Sequence, residues 1–191
     1  MNLQCAWQGH AVAALTCASV LPAHAGVTEF TDMAEWEAAV GVFTTIDFTG
    51  WPEFTVITDQ YQDLGVLFSD GNDTILFSNA FQNDGVGLGG TVDDIELSFD
   101  APQLWIAVNY PGNIQLELFR NNKLIHVSSV FSDILGDFAG LLSTEPFDVA
   151  LISDPSDDAV FIDDLHFGVP APPTLGVLAF GAVVTCRRRR R

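Results

Sequence analysis

Apolar and polar residues alternate along most of the chain between positions 42 and 168, which is the pattern of half-buried β-strands. In residues 95–99, Ile95, Leu97 and Phe99 share one face, while Glu96 and Ser98 take the other. β-Branched and aromatic residues are common in these runs, and Gly, Pro, Asn and Asp separate them. The predicted strands cover residues 42–48, 66–68, 74–77, 95–99, 104–110, 114–119, 124–130, 149–152 and 160–167.

One short helix is predicted ahead of these strands. Asp32 and Glu35 have the spacing of a capping box, and Met33, Trp36 and Val40 follow at helical intervals. Residues 120–123 predict a hairpin turn, whereas residues 70–73, 85–90 and 154–158 predict loops. Short strands with frequent turn signals are typical of two packed antiparallel sheets. The predicted fold class is therefore all-β, an antiparallel β-sandwich with one short N-terminal helix.

Both ends of the chain differ in composition from this region. Residues 11–21 form an apolar run, and Ala23 and Ala25 define a small-x-small cleavage site, so residues 1–25 predict a signal peptide. At the other end, residues 174–186 are an apolar run that predicts a single hydrophobic helix, and arginines follow it. This helix would be about 20 Å long, short for a bilayer core of about 30 Å. Positive charge holds such an end on the cytoplasmic side. The predicted organisation is a signal peptide (1–25), an extracellular domain (26–168) and a tail (169–191).

The tail resembles a known sorting signal. Its parts are a proline motif, an apolar helix and a terminal basic cluster; the residues outside the helix are Val169, Pro170, Ala171, Pro172, Pro173, Arg187, Arg188, Arg189, Arg190 and Arg191. This order is similar to the PEP-CTERM signal of Gram-negative bacteria, with Ala171 in place of the usual glutamate. The resemblance implies export by the general secretion machinery and transient anchoring in the inner membrane. It also implies processing by an exosortase and a final location at the cell surface or in the extracellular matrix.

Charge and cysteine content narrow the function further. All 25 acidic residues of the chain lie between Glu29 and Asp164, against two basic residues, Arg120 and Lys123, so residues 26–168 carry a formal charge of −23. This charge argues against nucleic acid as a partner and is compatible with calcium or sugars. The same region contains no cysteine, so no disulfide is expected within it.

The extracellular region also resembles the domain common in PEP-CTERM proteins. The resemblance rests on residues 46–50 (Ile-Asp-Phe-Thr-Gly), on Gln60-Tyr61 with Gly65-Val66-Leu67-Phe68, and on residues 161–168 (Phe-Ile-Asp-Asp-Leu-His-Phe-Gly). It implies a jelly-roll or concanavalin-like sandwich, for which sugar binding is often supposed.

Candidate chemistry is limited. The sequence lacks the motifs of zinc proteases and serine hydrolases, and His126 and His166 alternate with apolar residues in strands, which indicates structural or surface positions. The acid pairs 93–94, 157–158 and 163–164 offer candidates for a glycosidase dyad. The chain is nevertheless expected not to be an enzyme, because 25 acidic residues bring carboxylates together by chance.

Two kinds of binding site are predicted. Calcium prefers carboxylate and carbonyl oxygens, so the expected ligands are Asp70 and Asp73 in one loop, or Asp163 and Asp164 near the last strand. Asp47 would join the second group if the early and last strands pair. Solvated turns are the alternative for both groups. The aromatic rings predicted to stack on sugars are those of Trp51, Trp105 and Tyr110, with core packing as the alternative for Trp105.

Two functions are consistent with these observations. The first is a non-enzymatic protein of the matrix or cell surface that binds extracellular polysaccharide, with calcium as the expected cofactor. The second is a secreted carbohydrate-active hydrolase that uses a carboxylate pair. A concave sheet face with exposed aromatic rings favours the first, and two facing carboxylates in a cleft favour the second.

Overall fold

The computed structural model describes residues 26–69, 74–78, 86–90, 94–156 and 159–168. The elements follow the order β1 (Val27–Phe30), α1 (Met33–Ala39), β2 (Thr44–Ile46), β3 (Val66–Ser69), β4 (Thr74–Ser78), β5 (Val86–Gly90), β6 (Ile95–Arg120), β7 (Lys123–Val127), β8 (Phe131–Ser153) and β9 (Phe161–Gly168). A 3-10 turn at Gln62–Leu64 precedes β3. Every described strand pair is antiparallel, as the alternating pattern predicted.

The predicted helix is confirmed as α1. The Asp32 carboxylate accepts a hydrogen bond from the Glu35 amide at 2.9 Å and so caps one of the free N–H groups of the first turn. Trp36 is the residue that α1 buries completely. The helix ends at Val40, whose amide still donates to the Trp36 carbonyl.

The two long strands, β6 and β8, each contribute to two layers. In the first layer, residues 105–109 of β6 lie between residues 139–142 of β8 and the end of β9, and the edges are β1 and β2. In the second layer, residues 149–152 of β8 lie between the two ends of β6, and the edges are β3 and β7. β4 and β5 extend the network from the start of β9.

β6 changes direction where its sequence interrupts the hydrogen-bond ladder. Its register with β8 shifts between Ser98 and Gln103 and again between Tyr110 and Gly112. Pro102 lies in the first interval and Pro111 in the second, and a proline has no N–H to donate to a neighbouring strand. Gly112 has a φ of +88°, which a residue with a side chain rarely adopts. The first interruption marks the passage of β6 from the second layer to the first. The return is complete between Ile114 and Gln115, where the partner in β8 changes from Phe131 to Ser153.

The main core lies between the layers. Phe99 of the second layer and Phe167 of the first have ring centroids 5.2 Å apart, and both belong to one continuous buried cluster. The inward face predicted for residues 95–99 is confirmed, because Ile95, Leu97 and Phe99 are all buried. The described residues therefore form an antiparallel β-sandwich with one α-helix.

Helix α1 covers the outer face of the first layer. Trp36 packs at 5.7 Å from Phe138 and at 5.0 Å from Phe43, measured between ring centroids, and Trp105 belongs to the same small cluster. Gly140 of β8 lies directly beneath Trp36, since a Cβ built there would approach Trp36 Cδ1 to 2.6 Å. The absence of a side chain at Gly140 therefore permits the close packing of helix against sheet.

Some sequence predictions were wrong in detail. The glycine-rich residues 85–90 were predicted as a loop, but Val86–Gly90 is strand β5, paired with β4 on one side and β9 on the other, with Leu88 buried. Tertiary pairing outweighs the weak strand propensity of glycine here. β1 and most of β8 were not predicted. The Asn121–Asn122 hairpin turn is confirmed, because both residues have φ values of 50–60°.

The hydrophobic helix predicted at residues 174–186 lies outside the described residues. None of the helices described here combines the length and hydropathy required to cross a bilayer.

Candidate functional site

The outer face of the second layer carries a continuous row of side chains across five strand segments, two of which are the ends of β6. Cross-strand partners place one residue from each segment side by side, in the order Leu67, Ser98, Val149, Phe119 and Leu124. We call this row the outer strip. Its members are half-buried apart from Leu124, which is 44% exposed, whereas at least one sequence neighbour of each packs in or against the core. Four of the five are apolar, so this face offers solvent an apolar surface.

A shallow groove of about 250 Å³ follows the centre of this strip. We call it the outer groove; it is lined by Glu96, Phe119, Asn122, Val149 and Leu151. Val149 and Leu151 come from the central strand of the layer, while Glu96 and Phe119 come from the strands on either side. Ladder hydrogen bonds on both flanks hold the central strand, so the floor of the groove is rigid. An apolar floor with a few fixed polar groups is the usual composition of a small-ligand site.

Two carboxylates flank the floor of the groove. Leu151 has Glu96 as its partner on one side and Glu117 on the other. The Ser69 hydroxyl donates to Glu96 Oε1 at 3.2 Å, which positions this side chain over the edge strand. We call Glu96 and Glu117 the carboxylate pair.

The sequence predictions did not include the residues of this groove. The alternation at 95–99 did place Glu96 on the solvent side, and Phe119 precedes the predicted hairpin turn. These two signals identify an outward face, but they do not show that residues 96, 117, 119 and 151 meet, because that depends on the register of three strands.

Trp51 is exposed, as predicted, and lies in the loop between β2 and β3. Its side chain is 41% exposed, and Phe54 in the same loop is 66% exposed. The loop is internally hydrogen-bonded: the Thr55 amide donates to the Pro52 carbonyl at 3.2 Å, and the Gln60 amide side chain donates to the Val56 carbonyl at 2.8 Å. Both aromatic rings are therefore available to a ligand on an ordered loop.

Aromatic packing anchors the far end of this loop. Phe48, Tyr61 and Phe68 lie 5.8–5.9 Å from one another between ring centroids. Burial raises the pKa of the Tyr61 hydroxyl; the nearby Trp51 indole opposes this rise and Asp47 adds to it. The Trp51 indole therefore lies near Tyr61, at the anchored end of the loop.

The structure shows core packing for Trp105, which was the alternative to sugar stacking, and the expected exposure of Tyr110 was wrong. Trp105 is 3% exposed and Tyr110 is 2% exposed. Trp105 lies on a central strand, close to Gly41 in the segment that follows α1 and to Gly168 at the end of β9; a Cβ built at these glycines would lie 3.6 Å and 2.7 Å from its indole. Tyr110 packs near Phe131, with ring centroids 6.5 Å apart. Neither ring face is open to stack on a sugar.

A second, more polar cavity lies beside β1 and the start of β8. This acidic cleft has a volume of about 400 Å³ and is lined by Glu29, Phe30, Thr31, Glu35, Tyr110, Ser129, Val130, Phe131, Ser132 and Asp137. Glu29 accepts hydrogen bonds from the Ser129 amide at 3.0 Å and from the Ser129 hydroxyl, and it pairs with His126 at 3.3 Å. Burial raises the pKa of Glu29, but these partners lower it more, so that it lies below its ordinary value.

Asp163 and Asp164 have local protein contacts. Asp163 Oδ1 accepts the Asp164 amide at 3.0 Å, and Asp164 Oδ2 accepts the Asn109 side-chain amide at 3.1 Å. The condition under which Asp47 would join this group is met, because β2 pairs with β9 and Ile46, the residue before Asp47, has Leu165 as its partner. Within the described ranges, however, no three Asp, Glu, His or Cys side chains are grouped closely enough to hold a metal ion.

Several predicted site residues lie outside the described part of the chain. They are the cleavage-site residues Ala23 and Ala25, the loop residues Asp70 and Asp73, and the sorting residues Val169, Pro170, Ala171, Pro172, Pro173, Arg187, Arg188, Arg189, Arg190 and Arg191.

Comparison with known proteins gives matches among solved structures. No protein-family model matches the sequence, and no curated protein matches it. The chain is similar to a mutant of CBM29-2, a family 29 carbohydrate binding module, with 12% identity, coverage of 70% of this chain and 98% of that one, and a TM-score of 0.42. Another CBM29-2 mutant, complexed with mannohexaose, matches with 11% identity, coverage of 67% and 92%, and a TM-score of 0.39.

The CBM51-2 and INT domains of ZmpB from Clostridium perfringens match with 7% identity, coverage of 68% of this chain and 29% of that one, and a TM-score of 0.30. At these identities and TM-scores, the similarities support no inference about a ligand of the present chain.

Proposed function

We propose that this chain is an exported, non-enzymatic carbohydrate-binding protein of the cell surface or extracellular matrix. Its domain would be a jelly-roll or concanavalin-like sandwich, and its tail would be an exosortase-processed sorting signal of the PEP-CTERM type. The outer groove is the observation that carries the binding function. A sugar ring combines an apolar face with hydroxyl groups at its edge, and the groove pairs an apolar floor with carboxylate and amide side chains.

Phe119 is the residue on which this proposal depends most. Its ring supplies the aromatic part of the groove, next to Val149 on the central strand. Burial of such a side chain against a ligand contributes roughly 1.5–3 kcal/mol, or about tenfold or more in affinity. The rings of Trp51 and Phe54 offer a second contact surface on the β2–β3 loop.

A glycan array and titration calorimetry with the full chain test the proposal. The Phe119→Ala variant is expected to bind its best glycan at least about tenfold more weakly. Val42→Ala truncates an exposed apolar side chain in the segment that follows α1, away from the groove and from the β2–β3 loop, and it serves as the control. Thermal melting of each variant verifies that the fold is retained. Equal losses in the two variants, or none in either, would contradict a site at the outer groove.

The acidic cleft favours a second candidate function, a carbohydrate-active hydrolase. Glu29 stays ionised because Ser129 and His126 stabilise its charge, as a nucleophile or general base requires. Glu35 and Asp137 line the same cleft and would supply the acid. Release of reducing ends from polysaccharides, abolished by Glu35→Gln or Asp137→Asn, would establish this activity in place of simple binding.

A further inference from the structure

The carboxylate pair restricts the kind of glycan that the outer groove can hold. Glu96 and Glu117 lie on the strands that flank Leu151, so their Cα atoms are separated by two strand spacings, about 10 Å. A sugar ring fits between two side chains at this separation. The apolar face of the sugar ring would then cover Leu151. Substituents on the two edges of the ring would face Glu96 on one side and Glu117 on the other.

The cations of the domain do not neutralise this pair. Arg120 and Lys123 are the two basic residues between positions 26 and 168, and both lie beside the β6–β7 turn. The Arg120 guanidinium donates to the Pro146 carbonyl at 3.1 Å. Among the described residues, neither Glu96 nor Glu117 forms an ion pair. The groove therefore presents negative charge within a domain whose formal charge is −23.

Because of this negative charge, three classes of polysaccharide are expected to bind the groove with different affinities. A polyuronate would bring its own carboxylates next to Glu96 and Glu117, and such like-charge contacts weaken binding. A neutral glycan can donate hydroxyl hydrogen bonds to the pair. A glycan with free amino groups can donate charge-assisted hydrogen bonds, which are about twice as strong as neutral ones.

We infer that the preferred ligand of the outer groove is a polysaccharide with free amino groups, such as a deacetylated hexosamine polymer, recognised by Glu96 and Glu117. This inference rests on the proposed carbohydrate-binding function and names the substrate class of the same site. The outer strip crosses five strand segments, about 19 Å, so an oligosaccharide is the appropriate probe.

Three oligosaccharides of equal length test the inference by calorimetry with the full chain: a glucosamine oligomer, its N-acetylated counterpart and a polyuronate. The glucosamine oligomer is expected to bind at least about tenfold more tightly than the N-acetylated one at low salt. This preference should shrink as sodium chloride is raised, because the groove is open to solvent.

Single neutralising substitutions locate the origin of the preference. Glu96→Gln and Glu117→Gln are each expected to reduce it about tenfold or more. A glutamine at position 96 retains an oxygen that can accept from the Ser69 hydroxyl. Glu37→Gln, on the exposed side of α1, changes the net charge by the same amount away from the groove and should leave the preference intact.

The outcomes distinguish this inference from the function on which it rests. If the N-acetylated oligomer or the polyuronate binds as tightly as the glucosamine oligomer, and Phe119→Ala still weakens binding, the amino-sugar inference is wrong and carbohydrate binding stands. An equal effect of Glu37→Gln would also overturn it, since the preference would then reflect net charge alone. Absence of binding to all three oligomers would overturn the inference, and absence of binding to every glycan of the array would overturn the proposed function as well.

Discussion

Thr45 Oγ1 lies 3.0 Å from His166 Nδ1, and this contact joins strand β2 to strand β9 at the edge of the first layer. His166 is 3% exposed and packs against the rings of Trp36, Phe43 and Phe138. Its Nε2 has no hydrogen-bond partner among the described residues. The imidazole is therefore held neutral in an apolar cluster, and burial lowers its pKa from 6.5 to about 4.

We expect His166 to make the stability of the domain depend on pH. Between about pH 4 and pH 6.5 the unfolded chain binds a proton at His166 that the folded chain does not, so stability rises with pH across this range. The contribution of neutral His166 to the free energy of unfolding is fully present above about pH 6.5 and is lost as the pH falls towards 4. It amounts to at most about 3 kcal/mol.

Urea unfolding at several pH values measures this effect. The His166→Asn variant cannot titrate and keeps a polar group near Thr45, so the difference in unfolding free energy between wild type and variant should narrow as the pH falls. The other ionisable groups are the same in both proteins, so their contributions cancel in this difference. A difference that stays constant from pH 7 to pH 4 would show that His166 is solvated.

The packing of α1 on the first layer predicts a large effect of a small substitution. In Gly140→Ala the new methyl group would lie 2.6 Å from Trp36 Cδ1 and 2.8 Å from Phe138 Cε1, so the helix or the rings must shift. Overpacking of this kind costs about 1–3 kcal/mol, measurable by urea unfolding. Gly26→Ala is the control, because its nearest new contact is 3.6 Å, and its effect should stay within about 0.5 kcal/mol.

Calcium binding stays a prediction. We expect millimolar calcium chloride to raise the melting temperature by several degrees beyond sodium chloride of equal ionic strength, because an ion at a hundredfold excess over its Kd contributes about 2.7 kcal/mol. Alanine at both Asp163 and Asp164, or at both Asp70 and Asp73, should remove that excess and so identify the ligands. Equal shifts in melting temperature from the two salts would show that calcium acts only by general electrostatic screening.

The sorting tail is tested by localisation. Deletion of Arg187 to Arg191 should release the protein to the medium or leave it unprocessed, because in the proposed sorting signal a positive cluster would orient the tail in the membrane. Fractionation and immunoblotting report both location and apparent mass. Replacement of the five arginines by lysines keeps the charge and separates an electrostatic requirement from recognition of arginine itself. Unchanged location and mass after the deletion would argue against a sorting signal.

The sequence predicts local structure well where one physical rule acts alone. Asp32 caps α1, Asn121 and Asn122 form the turn, and the alternation at Ile95 and Leu97 gives the buried face. Each of these depends on residues within a few positions of one another.

The outer groove, the burial of Trp105 and strand β5 depend on contacts between residues that are far apart in the sequence. Glu96, Leu151 and Glu117 become neighbours through two strand registers that no short motif encodes. For Trp105 the sequence left sugar stacking and core packing open, and it is buried because the segment that follows α1 approaches its ring. The glycines of Val86–Gly90 favour a loop locally, and β4 and β9 override that preference by pairing on both sides.

Because β6 and β8 pass through both layers, neither layer can separate from the other with its own hydrogen bonds intact. Breaking the ladder at Leu151 and Glu117 loosens the same strand that pairs farther along with Ala107 and Val108. The two faces of the sandwich should therefore melt together as one cooperative unit. A glycan held on the outer face of the second layer would then slow hydrogen exchange beneath α1, on the opposite side of the domain.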